Sequence, residues 1–339
     1  MDESDINLLL TVPFPTALIE RLQAVSPRLK ITSRPTSDAE DLPEELLQET
    51  EILYTLSALP DIDLVPNLRW IQFHYSGVDH VMGHPLLGSD LMITTMSGVS
   101  APQLAELTLM FILTLSHRML KFIHSTPEEH WASGRLKRYQ PQELRGSTVG
   151  VVGYGSVGRE IARLCQAFGA SVLTTKRDLK HLSDNGYSLD GLGDPESEIP
   201  DRIYPPEALR SMVSLCDFVI ITIPLTRKTQ GIYDEAVFEA MKPSAFLIDI
   251  SRGGIVDHGA LVEALNLERL AGAALDVYPI EPLPESSPLW EMENIILTPH
   301  IGGSSPHYLE RVIQLFSMNI QHYLSEAPLL NLYDPSREY

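Results

Sequence analysis

The stretch from Ser147 to Ala162 limits the possible folds more than any other part of the chain. Thr148 to Val152 is β-branched apart from Gly150 and reads as a buried strand. Gly153, Gly155 and Gly158 follow as G-x-G-x-x-G. Beyond them Val157, Ile161, Leu164 and Phe168 recur at steps of four, three and four, one face of a helix, with Gly169 at the expected C-cap. Ser171 to Thr175 then reads as a second strand. Strand, glycine turn, helix and strand together form the context in which this motif binds a dinucleotide. The first glycine permits the tight turn, the second lets a pyrophosphate approach the backbone, and the third lets helix and strand pack closely. The helix N-terminus, with Ser156 and Val157, offers N–H groups and partial positive charge to the phosphates.

A chain of 339 residues is long for one ordinary domain and is read as two. Lys+Arg number 25 against 45 Asp+Glu, a net charge of −20, and such a surface repels nucleic acid and anionic membranes. A small anionic substrate then needs a local cluster of cations. The two cysteines, Cys165 and Cys216, read as small core residues, a usage that fits a reducing compartment. The start Met1-Asp2-Glu3-Ser4-Asp5 is acidic and lacks the basic opening of a signal peptide, so the expected location is cytoplasmic. The apolar run Leu107 to Leu115 is too short for a membrane span and is read as a buried helix.

The first hundred residues alternate strands and helices: Ile6 to Thr11, a helix over Pro15 to Val25, then strands at Leu29, Glu51, Leu68 and Leu91. This predicts a small parallel α/β unit. Ser76-Gly77 follows its fourth strand. Exposed N–H groups there can hold an anion, although spacing alone favours an ordinary turn. His80 and His84 have the spacing of a metal pair, but Gly83 and Pro85 argue against the helix that pair requires.

Ala101-Pro102 opens a helical pattern running to about His124, with Leu104, Leu107, Phe111, Leu115, Met119 and Phe122 on one face. Between Lys176 and Cys216, glycine, proline, aspartate and Asn185 predict mostly loop. A solvated loop is the plain reading. A cofactor lid is the sharper one, because the loop starts where the second strand ends. Further strands are expected at Asp217 to Thr222, Ala245 to Ile250, Ala273 to Val277 and Ile295 to Thr298. Helices are expected over Asp234 to Met241, from Asp257 to Leu270, and over Tyr308 to Leu324. The pattern is a doubly wound sheet.

Ligands of such sheets bind beyond the carboxyl ends of the strands. Arg252, Glu281 and His300 each follow one of the last three strands. A guanidinium can hold an α-carboxylate and polarise the neighbouring carbonyl. A histidine can deliver a proton to oxygen as hydride reaches carbon, and a carboxylate behind the imidazole favours its charged form.

On these motifs the chain resembles the D-isomer-specific 2-hydroxyacid dehydrogenase family. The resemblance rests on Gly153 to Gly158, Asp249 to Asp257 (D-I-S-R-G-G-I-V-D), Leu275 to Pro282 (L-D-V-Y-P-I-E-P) and Leu297 to Gly303 (L-T-P-H-I-G-G). It implies a Rossmann dinucleotide-binding domain over 102–305 and a discontinuous, flavodoxin-like substrate domain over 1–101 and 306–339. Arg252 would bind substrate, Glu281 would pair with the histidine and His300 would be the acid/base. Asp276 would contact the nicotinamide amide. Ile250 and Ser251 would meet the cofactor through their backbone, with Ile223, Pro224, Gly302 and Gly303 nearby. Ser76, Gly77 and Val78 match the family's turn for the substrate carboxylate. The family usually forms homodimers through the arm near 101–131.

In two places the chain departs from the family pattern. NAD enzymes of the family usually carry Asp at the end of the second strand, where this chain has Lys176 with Arg177 beside it. Basic residues there accommodate a 2′-phosphate, so NADP is the expected cofactor and NAD the other candidate. The 180–203 loop is also longer than usual. The implied activity is reduction of a small 2-oxo acid to a D-2-hydroxy acid. The rival reading is a dinucleotide-binding corepressor-like scaffold, or a sensor, of the same fold.

Overall fold

The computed structural model describes residues 4–184 and 186–337. The acidic Met1-Asp2-Glu3 start and Asn185 of the loop lie outside the described residues. The chain divides into two compact units. One holds the described residues up to Val99, those from 186 to Leu189, and those from Ser305 on; the other holds Ser100–Asp184 and Asp190–Ser304.

The first unit is built on five strands: β1 (Ile6–Leu10), β2 (Leu29–Ser33), β3 (Ile52–Thr55), β4 (Trp70–Phe73) and β5 (Met92–Thr94). All pair in parallel, in the order β2-β1-β3-β4-β5, which is the flavodoxin-like order. Every residue of β3 and β4 is buried, as expected of central strands covered on both faces. On one face Trp70, Tyr54 and Leu22 pack with Val312 and Phe316 of the helix Tyr308–Leu324. On the other, Leu9, Leu53, Ile71 and Phe73 form a second cluster. Tyr187 enters the first of these clusters from the long loop, and its N–H donates to Asn331 Oδ1 at 3.0 Å. Gly98 permits the approach: its φ is +88°, and a Cβ there would lie 2.2 Å from the Tyr187 carbonyl oxygen.

The second unit carries β6 (Thr148–Val152), β7 (Ser171–Thr175), β8 (Arg202–Tyr204), β9 (Phe218–Ile221), β10 (Phe246–Asp249), β11 (Gly272–Leu275) and β12 (Ile295–Leu297). Their order is β12-β11-β10-β9-β6-β7-β8, all parallel. Read from the β8 edge this is the Rossmann order with one strand added. Helices Ala101–Ser116 and Ser156–Ala167 bury Phe111, Ile112, Ile161 and Cys165 on one face of the sheet.

Three readings of the sequence need correction. The arm is not one helix to His124: it stops at Ser116, Arg118 takes a left-handed φ of +55°, and a new helix spans Met119–His124. The Arg118 guanidinium is drawn off the helix path to donate from Nε to the Gln140 carbonyl at 2.8 Å. Met119 and Phe122 therefore do not continue the buried stripe, and are 39% and 45% exposed. The stretch read as mostly loop contains edge strand β8, whose three residues pair with Leu173, Thr174 and Thr175. The helix opened by Asp257, whose side chain accepts from Gly259 and Ala260 N–H, ends at Asn266.

Candidate active site

The glycine turn joins β6 to the helix Ser156–Ala167. Gly153 has φ +101°, and a Cβ there would meet the Ile223 side chain at 2.8 Å. A Cβ at Gly158 would lie 2.2 Å from the Gly153 carbonyl oxygen. These two glycines are required by the turn and by the contact of helix with strand. Gly155 differs, because a Cβ there would stand in open space. The helix it opens has no side-chain cap, so its first N–H groups face outward beside that opening. This is the cradle a pyrophosphate requires. Thr222 closes it from below, its Oγ1 donating to the Gly153 carbonyl at 2.8 Å. Ile223 and Pro224 follow it, both half-buried.

At the end of β7 stand Lys176, half-buried, and Arg177, exposed. Lys176 Nζ donates to the Leu182 carbonyl at 2.8 Å. Burial lowers the Lys176 pKa, and the neighbouring Arg159 cation adds to the effect. Arg159 had no role in the sequence reading, yet it is 2% exposed and organises the long loop. Its guanidinium donates to the carbonyl of Leu182 at 2.6 Å, to that of Asp194, and to Ser197 Oγ at 2.9 Å. It also lies 4.6 Å from the centre of the Tyr154 ring and 3.4 Å from Asp184. A lone arginine on a helix gives no sequence signal for such a role.

The three charged groups follow adjacent strands: Arg252 after β10, Glu281 after β11 and His300 after β12. His300 Nδ1 lies 2.7 Å from Glu281 Oε2. With a carboxylate as acceptor, Nδ1 carries the hydrogen and Nε2 is left for a ligand. Glu281 is held from its other oxygen, Oε1 accepting the Tyr278 N–H at 3.0 Å. The imidazole and the carboxylate side chains are 43% and 35% exposed, so the pair is reachable from solvent. Arg252 Nη1 donates to the Ser251 carbonyl at 2.8 Å, which turns the guanidinium back along its own loop. Gly253 lets this loop pack against the one after β11: a Cβ there would fall 1.8 Å from the Tyr278 carbonyl oxygen.

Two buried acids close the floor. Asp249 accepts from Ser251 N–H at 3.0 Å and from its hydroxyl; burial pushes the carboxyl up to about 7, with nearby Asp276 adding to it. The Ser251 N–H is therefore spent, and Ser251 and Ile250 are buried. Asp276 accepts from Thr298 Oγ1, Ile301 N–H and Gly302 N–H. Gly303 gives its carbonyl to Gln103 Nε2 at 2.9 Å.

In the first unit, Ser76 is exposed, Gly77 half-buried and Val78 in the core. Tyr75 beside them is 47% exposed and lies against His74 and Tyr308, at 4.9 and 6.1 Å between ring centres. His80 and His84 are engaged locally, on the Leu56 carbonyl and the Leu86 N–H.

The model of the NAD binding domain of D-isomer specific 2-hydroxyacid dehydrogenases matches residues 109–302. A glyoxylate reductase of Thermofilum pendens is 31% identical over 264 residues, covering 76% of this chain and 73% of its own length. One from Pyrococcus horikoshii is 28% identical over 295 residues, 84% of each chain. Among solved structures, a D-isomer specific 2-hydroxyacid dehydrogenase from Xanthobacter autotrophicus Py2, in complex with NADPH and MES, superposes with a TM-score of 0.81. It is 25% identical and covers 99% of this chain and 100% of its own. A family protein from Aeromonas salmonicida gives 0.77 at 29% identity, covering 98% and 100%.

Proposed function

The chain belongs to the D-isomer specific 2-hydroxyacid dehydrogenase family, and from that premise we propose that it reduces a small 2-oxo acid with NADPH, His300 acting as the acid and Arg252 binding the substrate carboxylate. The observation that carries this reading is the 2.7 Å contact of His300 Nδ1 with Glu281, which fixes the tautomer and aims Nε2 outward.

The residues present suit a dinucleotide. The open side of Gly155 and the uncapped helix start suit the pyrophosphate. Lys176 and Arg177, after β7, offer cations suited to an adenosine 2′-phosphate, and the Xanthobacter relative is in complex with NADPH. A bound nicotinamide supplies the hydride. His300 gives the Nε2 proton to the substrate oxygen while Glu281 keeps the opposite nitrogen protonated. Arg252 offers N–H donors to a carboxylate and steadies charge growing on the neighbouring oxygen. The exposed N–H groups at Ser76-Gly77 are assigned to the substrate carboxylate as well. Glyoxylate leads the substrate list, since the Thermofilum pendens and Pyrococcus horikoshii relatives are glyoxylate reductases, and hydroxypyruvate is proposed beside it.

The protein acts as a homodimer in this reading. The arm leaves Met110, Ile123, Trp131 and Leu136 at 47%, 63%, 77% and 81% exposure, an apolar surface fitted to a second copy.

The test is turnover with glyoxylate, hydroxypyruvate, pyruvate and bulkier 2-oxo acids, with each cofactor, in wild type and His300→Ala. Loss of the acid should lower kcat by about 10²–10⁴-fold. Near-normal turnover in the variant sinks the assignment. No turnover with any 2-oxo acid by the wild type favours a scaffold or sensor.

A further inference from the structure

His300 has a backbone φ of +51°. A residue with a Cβ meets strain in the left-handed region and stays there only when its surroundings fix it. Here a buried carboxylate holds the chain on both sides of it, beside the His300 N–H bond to the Thr298 carbonyl at 3.0 Å. Asp276 follows β11, is 1% exposed, and accepts hydrogen bonds from both sides of His300. Thr298 Oγ1 donates to Oδ1 at 2.6 Å from two residues before. Ile301 N–H donates to Oδ1 at 2.9 Å, and Gly302 N–H to Oδ2 at 2.8 Å, from one and two residues after. A Cβ on Gly302 would lie 2.7 Å from Asp276 Oδ2 and 2.8 Å from the ends of Leu104 and Leu107.

The base of the loop is tied to the Glu281 side as well. Tyr278, whose N–H holds Glu281, donates its hydroxyl to the Thr298 carbonyl at 2.8 Å. Both partners of the imidazole–carboxylate pair are thus referenced to the same two strand ends. A carboxylate has about four lone-pair positions, and at least three of those on Asp276 are taken by this loop.

We propose that Asp276 is a positioning residue for His300: its carboxylate holds the left-handed turn that sets the imidazole against Glu281, whatever contact it also makes with a nicotinamide. This rests on the acid/base reading of His300.

Thr298 separates the two roles, because its hydroxyl reaches Asp276 without being a cofactor group. Thr298→Val keeps the shape and removes one donor. It should lower kcat by roughly 3- to 10-fold, the scale of one hydrogen bond, with the Kd for NADPH unchanged. Thr298→Ser should recover most of that loss. Asp276→Asn sets an amide against N–H donors and should lower kcat by about 10²-fold, the scale of a misplaced reacting group. Nitrogen NMR of the His300 imidazole should show the Nδ1 resonance, which reports the hydrogen bond to Glu281, move in Thr298→Val and Asp276→Asn and return in Thr298→Ser. In a His300→Ala background Thr298→Val should cost nothing further, since it acts through the missing ring.

An unmoved His300 Nδ1 resonance in both Thr298→Val and Asp276→Asn overturns the proposal. So does an equal, additive loss from Thr298→Val in the His300→Ala background. Failure of the acid/base reading looks different: His300→Ala turns over normally while Thr298→Val still moves the Nδ1 resonance, which leaves the positioning role standing.

Discussion

The Tyr154 hydroxyl donates a 2.6 Å hydrogen bond to Asp194 Oδ2. Tyr154 sits inside the G-x-G-x-x-G turn, and Asp194 inside the long loop after β7. The same carboxylate accepts the Glu198 and Ile199 N–H groups at 2.9 and 3.0 Å. Glu160, one turn into the glycine-turn helix, accepts the Gly193 N–H at 2.7 Å. The loop is therefore built onto the phosphate-binding turn as a buttress, and it is not free to swing as a lid.

Asp194→Ala should show this. Removing the carboxylate leaves the buried Tyr154 hydroxyl without its partner, at about 1–3 kcal/mol, and two part-buried N–H groups that water can still reach at a smaller cost. The expected loss is ~2–4 kcal/mol in denaturant unfolding, together with weaker NADPH binding measured by calorimetry. Unchanged cofactor affinity in a stably folded variant would separate the loop from the turn.

The proposed cofactor preference rests on Lys176 and Arg177. Arg177 is exposed where Lys176 is half-buried, so it is expected to contribute more to a 2′-phosphate contact. A charge-assisted hydrogen bond of roughly 1.5–3 kcal/mol corresponds to about 10- to 100-fold in affinity. Wild type should favour NADPH by that factor in kcat/KM. Arg177→Ala should lose most of it, and Lys176→Asp/Arg177→Ala should prefer NADH. Equal use of the two cofactors by wild type would falsify the assignment.

Much of this was legible in the chain itself. The glycine turn, the order of strands and the residues at three strand ends all carry local signals: a period, a cap or a turn. The pairing of His300 with Glu281 is implied by the family resemblance, and the two side chains follow adjacent strands. What stayed hidden depends on contacts distant in sequence. Edge strand β8 has three residues inside a stretch rich in glycine, proline and aspartate, too short for any periodicity. Tyr187 looked like loop, because the core that buries it is assembled from Met96, Val99 and Phe316. The break at Arg118 is set by a carbonyl twenty-two residues on. Asp276 carried a family signal for one role, while its grip on the His300 loop is visible only in three dimensions.

His74 gives the first unit an acid limb. Burial lowers its pKa from 6.5 to about 4, and the neutral ring pairs with the Tyr54 hydroxyl at 2.6 Å. The unfolded chain takes up a proton near the ordinary value while the folded one resists it. Stability is therefore complete above about 6.5, falls as pH drops through that value, and levels near 4. The full loss is about 3 kcal/mol. His74→Phe should flatten this limb in denaturant midpoints measured from pH 7 to 4. An identical slope in the variant would assign the acid loss elsewhere.

Asp249 acts with the opposite sign. Its carboxyl is raised from 3.8 to about 7 by burial, so the folded protein holds a proton that the unfolded chain releases. That contribution to stability is complete below 3.8 and is lost as pH rises through 7. Asparagine keeps an acceptor for the Ser251 N–H and carries no charge. Asp249→Asn should therefore be more stable than wild type by on the order of 4 kcal/mol at alkaline pH, and the difference should shrink toward pH 4. Melting curves of both proteins across that range measure it. A constant offset, or none at alkaline pH, would mean that the carboxylate is ionised in the fold without cost.

The last prediction concerns the arm. Trp131 is 77% exposed and Ile123 63% exposed; Ile123 lies in the helix Met119–His124 after the Arg118 break, and Trp131 follows the short helix Pro127–His130 as its C-cap. A surface of this kind is normally covered, and a second copy of the same surface is the covering proposed here. Ile123→Glu/Trp131→Ser should convert a dimer of about twice the 37.8 kDa chain mass into a monomer, read by light scattering on a sizing column. The substitutions lie on exposed positions, so the cores of both units should keep their thermal transitions. A wild type that elutes as a monomer at micromolar concentration would overturn the pairing and leave the arm to another partner.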